Sequence, residues 1–85
     1  MKEILYTITD PVGLHARTAG SFVKAAQALL CDVTLSDGVR EVDAKRLLAV
    51  MGLNAGCSDT ITVRLSGEGE EGAALLMESY LKKNL

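Results

Sequence analysis

The sequence has no tryptophan, one phenylalanine and two tyrosines, and its formal net charge at pH 7 is −2. Proteins that bind nucleic acids usually carry a strongly basic surface and aromatic side chains on which bases stack. A weakly acidic chain with so few aromatic residues lacks both features. We therefore expect no nucleic-acid partner.

Cysteine and long apolar runs are also scarce. The two cysteines, Cys31 and Cys57, fall at the start of a predicted strand and in a polar loop, and their spacing is unlike that of a metal-binding pair. We expect free thiols, no disulfide, no metal site and no cofactor. No apolar run approaches the roughly 20 residues that span a bilayer, and the N-terminal segment lacks the apolar run of a signal peptide. The expectation is a cytoplasmic protein without membrane insertion.

A length of 85 residues predicts a single domain, residues 1–85, in which all elements share one core. Strands are predicted at residues 4–8, 31–35, 39–42 and 61–65. The first, second and fourth are predicted from alternating residues, and the third is predicted as the return strand of a hairpin. The Asp37-Gly38 pair between the second and third segments predicts a hairpin with a type I′ turn.

Helical spacing of apolar residues predicts a first helix over residues 16–30 and a last helix that follows the glycines at 67 and 69. Lys82 and Lys83 fall in the last turn of that final helix, where cations complement the helix dipole. Between the first and the last helix, the segment "KRLLAVMGLNAG" predicts a short helix that ends at Asn54 or Gly56.

The predicted order β-α-β-β-α-β-α points to an α+β fold. In so short a chain it favours one four-stranded, mainly antiparallel sheet with the helices on one face. Thr7, Thr34 and Thr62 alternate with apolar residues in the strands, so we expect the other face of the sheet to be solvated.

The only histidine, His15, lies within "GLHARTAG", immediately before the first predicted helix. A helix N-terminus leaves backbone N–H groups unpaired and carries a partial positive charge, so it attracts anions and disfavours an imidazolium ring. A neutral ring keeps a lone pair that can attack phosphorus, and Arg17 is close enough in sequence to bind the transferred phosphoryl group. The plain alternative is that His15 only caps the helix while Arg17 is a solvated charge.

Several segments together resemble a known family. "GLHAR" before a helix, the Asp-Gly hairpin, "DAKRLLAVMGL" and the loop before "TITVRLSG" are similar to HPr, the histidine-containing phosphocarrier of the bacterial phosphoenolpyruvate-dependent sugar phosphotransferase system. The resemblance covers essentially the whole chain. It implies an open-faced β-sandwich, phosphorylation of His15 on Nδ1 by enzyme I, and onward transfer to enzyme IIA domains of sugar permeases. Arg17 matches the family's active-site arginine, with Ala16 and Thr18 as backbone donors.

The resemblance also implies a partner-binding face formed by the start of the first helix and by the short helix. Exposed apolar side chains beside a reactive group suit transient docking, although some of them must instead face the core. Basic residues at the rim would speed encounter with acidic partners. The residues assigned to this face are Gly20, Lys24, Lys45, Arg46, Leu47, Leu48 and Met51.

Two positions depart from the family pattern. Thr18 replaces a proline, so the helix start gains a backbone N–H and a hydroxyl. We expect Thr18 to bond to the imidazole of unphosphorylated His15 and so to slow phosphorylation. After the transfer we expect the same donors to hold the phosphate. Arg46 replaces the serine that Gram-positive members phosphorylate for regulation, so that modification is not expected. A cation is unfavourable at a helix start, and Asp43 could therefore serve as the cap.

The resulting interpretation is a covalent phosphoryl relay, and not an enzyme with its own turnover. A carrier that alternates between partners on one face is best served by a monomeric state. Two alternatives stay open at this point. One is a regulatory module of the same family that acts by docking with little phosphotransfer. The other is a ligand-binding domain with a ferredoxin-like element order, a class that usually lacks a reactive histidine at its first helix.

Overall fold

A computed structural model describes residues 1–53 and 55–85. Its order of elements confirms the predicted order and the α+β class. The elements are β1 (Lys2–Thr7), α1 (Ala16–Gln27), β2 (Asp32–Ser36), β3 (Glu41–Asp43), α2 (Leu47–Met51), β4 (Thr60–Ser66) and α3 (Glu70–Asn84).

The four strands form one antiparallel sheet in the order β1-β4-β2-β3. In this sheet β4 lies between β1 and β2, with Val63 opposite both Ile4 and Leu35. Since side chains alternate along a strand, these aligned apolar residues all point to one face. That face carries the helices, so the sheet and helices form the expected open-faced β-sandwich.

The core lies between the sheet and the helices. Phe22 of α1 is fully buried, and its ring lies 6.2 Å from that of Tyr80 in α3, centroid to centroid, at a tilted angle. Met77 and Leu81 of α3 are buried in the same cluster, beside the inward-facing residues of β2 and β4. Burial of this apolar surface is the main force that fixes both long helices on the sheet.

The opposite face of the sheet is polar, as predicted. Thr7 is exposed and Thr34 and Thr62 are half-buried on it. Arg64 lies between carboxylates on two other strands, with its Nε donating to Glu3 at 2.7 Å and its Nη1 to Glu41. These bonds, that to Glu3 first, raise the pKa of Arg64 above its ordinary value.

The first helix is shorter than predicted. It ends at Gln27 rather than continuing to residue 30, and Leu30 is 84% exposed instead of joining the apolar stripe. The chain must turn there to bring Cys31 into the core before β2. That tertiary demand outweighs the helical periodicity of the sequence.

The β2–β3 hairpin does not contain the predicted type I′ turn. Such a turn needs two central residues with positive φ, but at this turn only Gly38 has one, at 96°. The Asp37 carboxylate instead closes the loop by accepting hydrogen bonds from the N–H groups of Val39 and Arg40, at 2.9 and 2.8 Å. A side-chain acceptor thus replaces the second left-handed residue.

The short helix α2 also differs from the sequence prediction at both of its ends. It ends at Met51, and its C-cap Gly52 is right-handed; Gly56 does not adopt the left-handed conformation, and Asn54 lies outside the described residues. The Gly52 carbonyl is capped by the Arg40 guanidinium. At the other end the N-cap is Arg46, without a side-chain cap.

Asp43 does not act as that cap. Its carboxylate accepts the Lys45 N–H at 2.9 Å and so stabilises the turn that precedes the helix. Both cysteines are free thiols in the structure, with Cys31 buried and Cys57 exposed.

Candidate functional site

His15 is the N-cap of α1, as predicted. Its backbone is extended, with φ −118° and ψ −179°, and its side chain is half-buried. The preceding loop is ordered by Asp10, whose carboxylate accepts the N–H groups of Val12 and Gly13 at 2.9 and 3.3 Å. Leu14 then donates its N–H to the Ala55 carbonyl at 2.9 Å. His15 is therefore held between its own helix and the loop that precedes β4.

Gly13 is required for this placement. Its φ is 79°, and a Cβ built on it would lie 2.6 Å from the Gly56 Cα and 2.7 Å from the Ala55 carbonyl oxygen. Real Cβ atoms do not approach backbone this closely, and side chains rarely adopt this φ. Only glycine allows the loop before His15 to contact residues 55–56.

Thr18 occupies the N3 position, also as predicted, but its hydroxyl has other partners than the imidazole. The hydroxyl oxygen accepts the His15 N–H at 3.0 Å and can donate to the His15 or Gly13 carbonyl, at 3.1 and 3.3 Å. The Thr18 N–H faces the His15 side chain, as in a capping box, but falls short of a full side-chain cap. The expected bond to the ring is therefore only approached, by the N–H alone.

The first turn of α1 provides donors for an anion. Ala16 and Arg17 are the first helical residues, so their N–H groups have no intrahelical acceptors. The first backbone bond of the helix runs from Ala19 N–H to the His15 carbonyl at 2.7 Å. A phosphoryl group on His15 would be placed beside these free donors at the positive end of the helix.

A cleft of 360 Å³ lies next to His15 and joins residues from both ends of the chain. On one wall are Arg17, Thr18 and Ser21 of α1, and the Tyr80 hydroxyl of α3 donates to Ser21 Oγ at 2.7 Å. The complete lining is Asp10, His15, Arg17, Thr18, Ser21, Tyr80, Lys83 and Asn84.

Sequence reasoning missed the contribution of α3 to this cleft. Lys83 could be recognised in the sequence only as a cation in the last turn of a helix, and Tyr80 only as part of an apolar stripe. No local pattern indicates that the end of α3 meets the start of α1, because that contact depends on how both helices pack on the sheet.

The short helix presents the predicted apolar residues to solvent. Leu48 is 85% exposed, Met51 46% and Leu47 42%, whereas Val50 is fully buried and anchors the helix. We call Leu47, Leu48 and Met51 the docking patch. The side chains of this patch are exposed, and Val50 is the buried residue of α2. The patch is therefore available for docking, which stays a prediction.

The polar residues of the predicted partner face differ in their contacts. Lys24 and Arg46 are exposed, and Gly20 is half-buried. Lys45 is half-buried and its Nζ donates to the Leu29 carbonyl at 2.8 Å, while its own carbonyl accepts from Gln27 at 2.9 Å. Lys45 therefore joins α1 to the turn before α2, which is a structural role besides the predicted rim charge.

Within residues 1–53 and 55–85, no helix is both long enough and apolar enough to span a membrane. The same residues contain no group of three or more histidine, cysteine or acidic side chains arranged to hold a metal ion.

Comparison with known proteins identifies the family. A family model described as the PTS HPr component phosphorylation site matches residues 2–83. The phosphocarrier protein HPr of Xylella fastidiosa strain Temecula1 is 40% identical over 73 residues, which cover 86% of this chain and 82% of that protein.

Solved structures agree with the sequence relatives. HPr-C-His from Thermoanaerobacter tengcongensis superimposes with a TM-score of 0.91 at 26% identity, covering 99% of this chain and 94% of that chain. An HPr dimer from the same organism gives a TM-score of 0.75 at 26% identity, with 98% and 95% coverage. The chain belongs to the HPr family, the phosphocarrier proteins of the phosphotransferase system.

Proposed function

We propose that this chain accepts a phosphoryl group on His15 Nδ1 from phosphorylated enzyme I and passes it to enzyme IIA domains of sugar permeases. The observation that supports this most directly is His15 at the N-cap of α1, with Arg17 in the same cleft. The family model that matches residues 2–83 is described as the PTS HPr component phosphorylation site, and the resemblance to the family implies that His15 is the phosphorylated residue.

The chemistry follows from the groups at the site. The Nδ1 lone pair attacks phosphorus, a nitrogen–phosphorus bond forms, and the bond between phosphorus and enzyme I breaks with its electron pair going to enzyme I. The Ala16, Arg17 and Thr18 N–H groups and the Arg17 guanidinium are the donors for the phosphoryl oxygens. Transfer to an enzyme IIA domain regenerates free His15, so the chain is a relay and not an enzyme.

Docking to both partners is assigned to the same face. The docking patch supplies exposed apolar surface on α2, which contacts α1. Gly20 and Lys24 of α1, with Lys45 and Arg46 immediately before α2, complete the proposed face. Since one face must serve partners in turn, we propose that the carrier works as a monomer in the cytoplasm. Sedimentation analysis of the unphosphorylated and phosphorylated chain tests the monomeric state, and cell fractionation tests the location.

Phosphorylation with enzyme I and phosphoenolpyruvate, followed by intact mass and peptide mapping, tests the relay. We expect one phosphoryl group on His15, labile in acid and stable in base, and complete loss of labelling in His15→Ala with an unchanged circular dichroism spectrum. Onward transfer is followed by mixing the phosphorylated chain with an enzyme IIA domain. An unlabelled wild type would favour the alternative, a docking module with little phosphotransfer.

A further inference from the structure

We propose that Lys83 is a second phosphoryl-binding cation, which acts with Arg17 on the group carried by His15. This inference rests on the proposed phosphorylation of His15. Lys83 lies in the last turn of α3 and lines the cleft beside His15, whereas Arg17 belongs to the first turn of α1. The two cations therefore reach the cleft from different helices.

The end of α3 is fixed next to the reactive loop. The Leu85 main-chain oxygen accepts the N–H groups of Thr9 and Asp10, at 2.6 and 2.8 Å, and the Thr9 hydroxyl at 3.1 Å. Leu85 is itself buried. These bonds hold the last turn of α3 against the segment that leads to His15, so the position of Lys83 is tied to that of the histidine.

The charges in the cleft are free to bind an anion. Among the residues that the structure describes, no carboxylate lies within ion-pairing distance of Arg17 or Lys83. Asp10 is the one acidic side chain among the residues lining the cleft, and it already accepts two backbone N–H groups. A dianionic phosphoryl group would thus meet two cations that have no competing acidic partner in the cleft.

The competing explanation is that Lys83 only complements the dipole of α3. That role belongs equally to Lys82, which also lies in the last turn. Lys82 is exposed but does not line the cleft. Both lysines can complement the helix dipole, but of the two only Lys83 lines the cleft. Comparing variants at the two positions therefore distinguishes a dipole effect from contact with the phosphoryl group.

The test compares Lys83→Gln with the matched control Lys82→Gln and with Lys83→Arg. Phosphoramidate is used as the phosphoryl donor, because it needs no docking partner and releases ammonia as the new nitrogen–phosphorus bond forms on His15. We expect Lys83→Gln to slow phosphorylation about two- to fivefold at low ionic strength, the effect of losing one exposed ion pair. Lys82→Gln should match the wild type, and Lys83→Arg should restore the rate.

The dependence of the phosphorylation rate on salt distinguishes an electrostatic role of Lys83 from a purely structural one. At 1 M salt the screening length falls to about 3 Å, so the difference between Lys83→Gln and wild type should largely disappear. The phosphorylated Lys83→Gln chain should also lose its phosphate faster than phosphorylated Lys82→Gln. Equal rates and lifetimes for the two glutamine variants would overturn the inference.

A binding measurement separates this inference from the relay itself. Inorganic phosphate is titrated against the His15 ring resonances in the NMR spectrum of each full-length variant. Weaker phosphate binding by Lys83→Gln than by Lys82→Gln supports the second cation even if enzyme I fails to phosphorylate the wild type, a result that would defeat the proposed function alone. Identical phosphate binding by both variants would refute the contribution of Lys83.

Discussion

The Thr18 hydroxyl accepts the backbone N–H of His15 at 3.0 Å, and this bond ties the N3 residue of α1 to its N-cap. The hydroxyl is thereby engaged with the main chain, while the Thr18 N–H faces the imidazole. A threonine at this position thus contributes to the site in two separable ways, through a side chain that fixes the helix start and through a backbone donor.

The side-chain contribution is tested by stability. Thr18→Val keeps the shape of the side chain but leaves the His15 N–H without its acceptor, so we expect the free energy of unfolding to fall by about 1 kcal/mol. Thr18→Ser, which keeps the hydroxyl, should lose much less. Urea unfolding of the three proteins measures this, and equal midpoints for Thr18→Val and Thr18→Ser would contradict it.

The backbone contribution is tested by kinetics. Thr18→Pro removes the N–H in the first helical turn, where proline is tolerated, together with the hydroxyl, so it is compared with Thr18→Val, which lacks the hydroxyl alone. We expect His15 to be phosphorylated several-fold faster and its phosphate to be lost faster, because the donor that faces the free ring would also bind the phosphoryl group. Phosphoramidate labelling rates and phosphohistidine lifetimes decide the matter; a slower-charging, longer-lived Thr18→Pro chain would count against this role.

Gly13 is expected to be one of the least replaceable positions. Gly13→Ala imposes an unfavourable φ and a backbone clash with residues 55–56, so the free energy of unfolding should fall by about 2–5 kcal/mol. Gly38→Ala is the matched control, since Gly38 also has positive φ but open space around it, and it should cost only about 1–2 kcal/mol. Thermal or urea unfolding that ranks the two variants in the reverse order would refute the close-contact argument.

The docking patch is tested with two strongly exposed leucines on different helices. Leu48→Ser should slow phosphorylation by enzyme I about five- to thirtyfold if Leu48 contributes about 1–2 kcal/mol to binding. Leu75→Ser, at a 71% exposed position on α3, should leave that rate unchanged. Neither variant should change labelling by phosphoramidate or shift stability by more than about 0.5 kcal/mol. A slow reaction of Leu48→Ser with phosphoramidate would place its effect in the site and not in docking.

The stabilisation that Asp37 provides is expected to depend on pH. Its backbone hydrogen bonds, from Arg40 first and Val39 next, lower the pKa of this carboxyl below the usual 3.8. A lowered folded-state pKa means that the ionised group stabilises the fold above its unfolded pKa, and that this contribution is lost as pH falls through the folded value. Asp37→Asn should therefore melt below wild type at pH 7, and the difference should shrink below about pH 3.8.

The control for this experiment is Asp32→Asn. Asp32 is exposed at the start of β2, and no hydrogen bond to its carboxylate occurs within the described part of the chain. We expect its melting temperature to follow the wild type at both pH values. A deficit of Asp37→Asn that persists unchanged in acid would show that the carboxylate charge is not the stabilising feature.

The strands and the position of His15 could be predicted from sequence because their signals are local. Val33, Leu35, Ile61 and Val63 alternate with polar residues since one face of the sheet is buried and the other is not. His15 could be placed at a helix start because the apolar period begins immediately after it.

The features that the sequence did not predict depend on contacts between distant segments. Leu30 fits a helical stripe, yet the chain must leave α1 at Gln27 to enter the sheet. The Asp-Gly pair predicts a turn that closes through backbone geometry alone, but in the structure the Asp37 side chain closes it. Lys83 joins the His15 cleft only after α1 and α3 have packed on the same face.

Leu14 bonds to Ala55 and Ile8 bonds to Asp59, so we expect the ability to accept phosphate to arise late as the chain folds. These bonds close long loops, and such closures are costly in entropy and usually slow. A nascent chain that has not yet released the segment through β4 has no partner for the loop that positions His15. We therefore expect His15 to accept a phosphoryl group only in chains that have folded at least through β4.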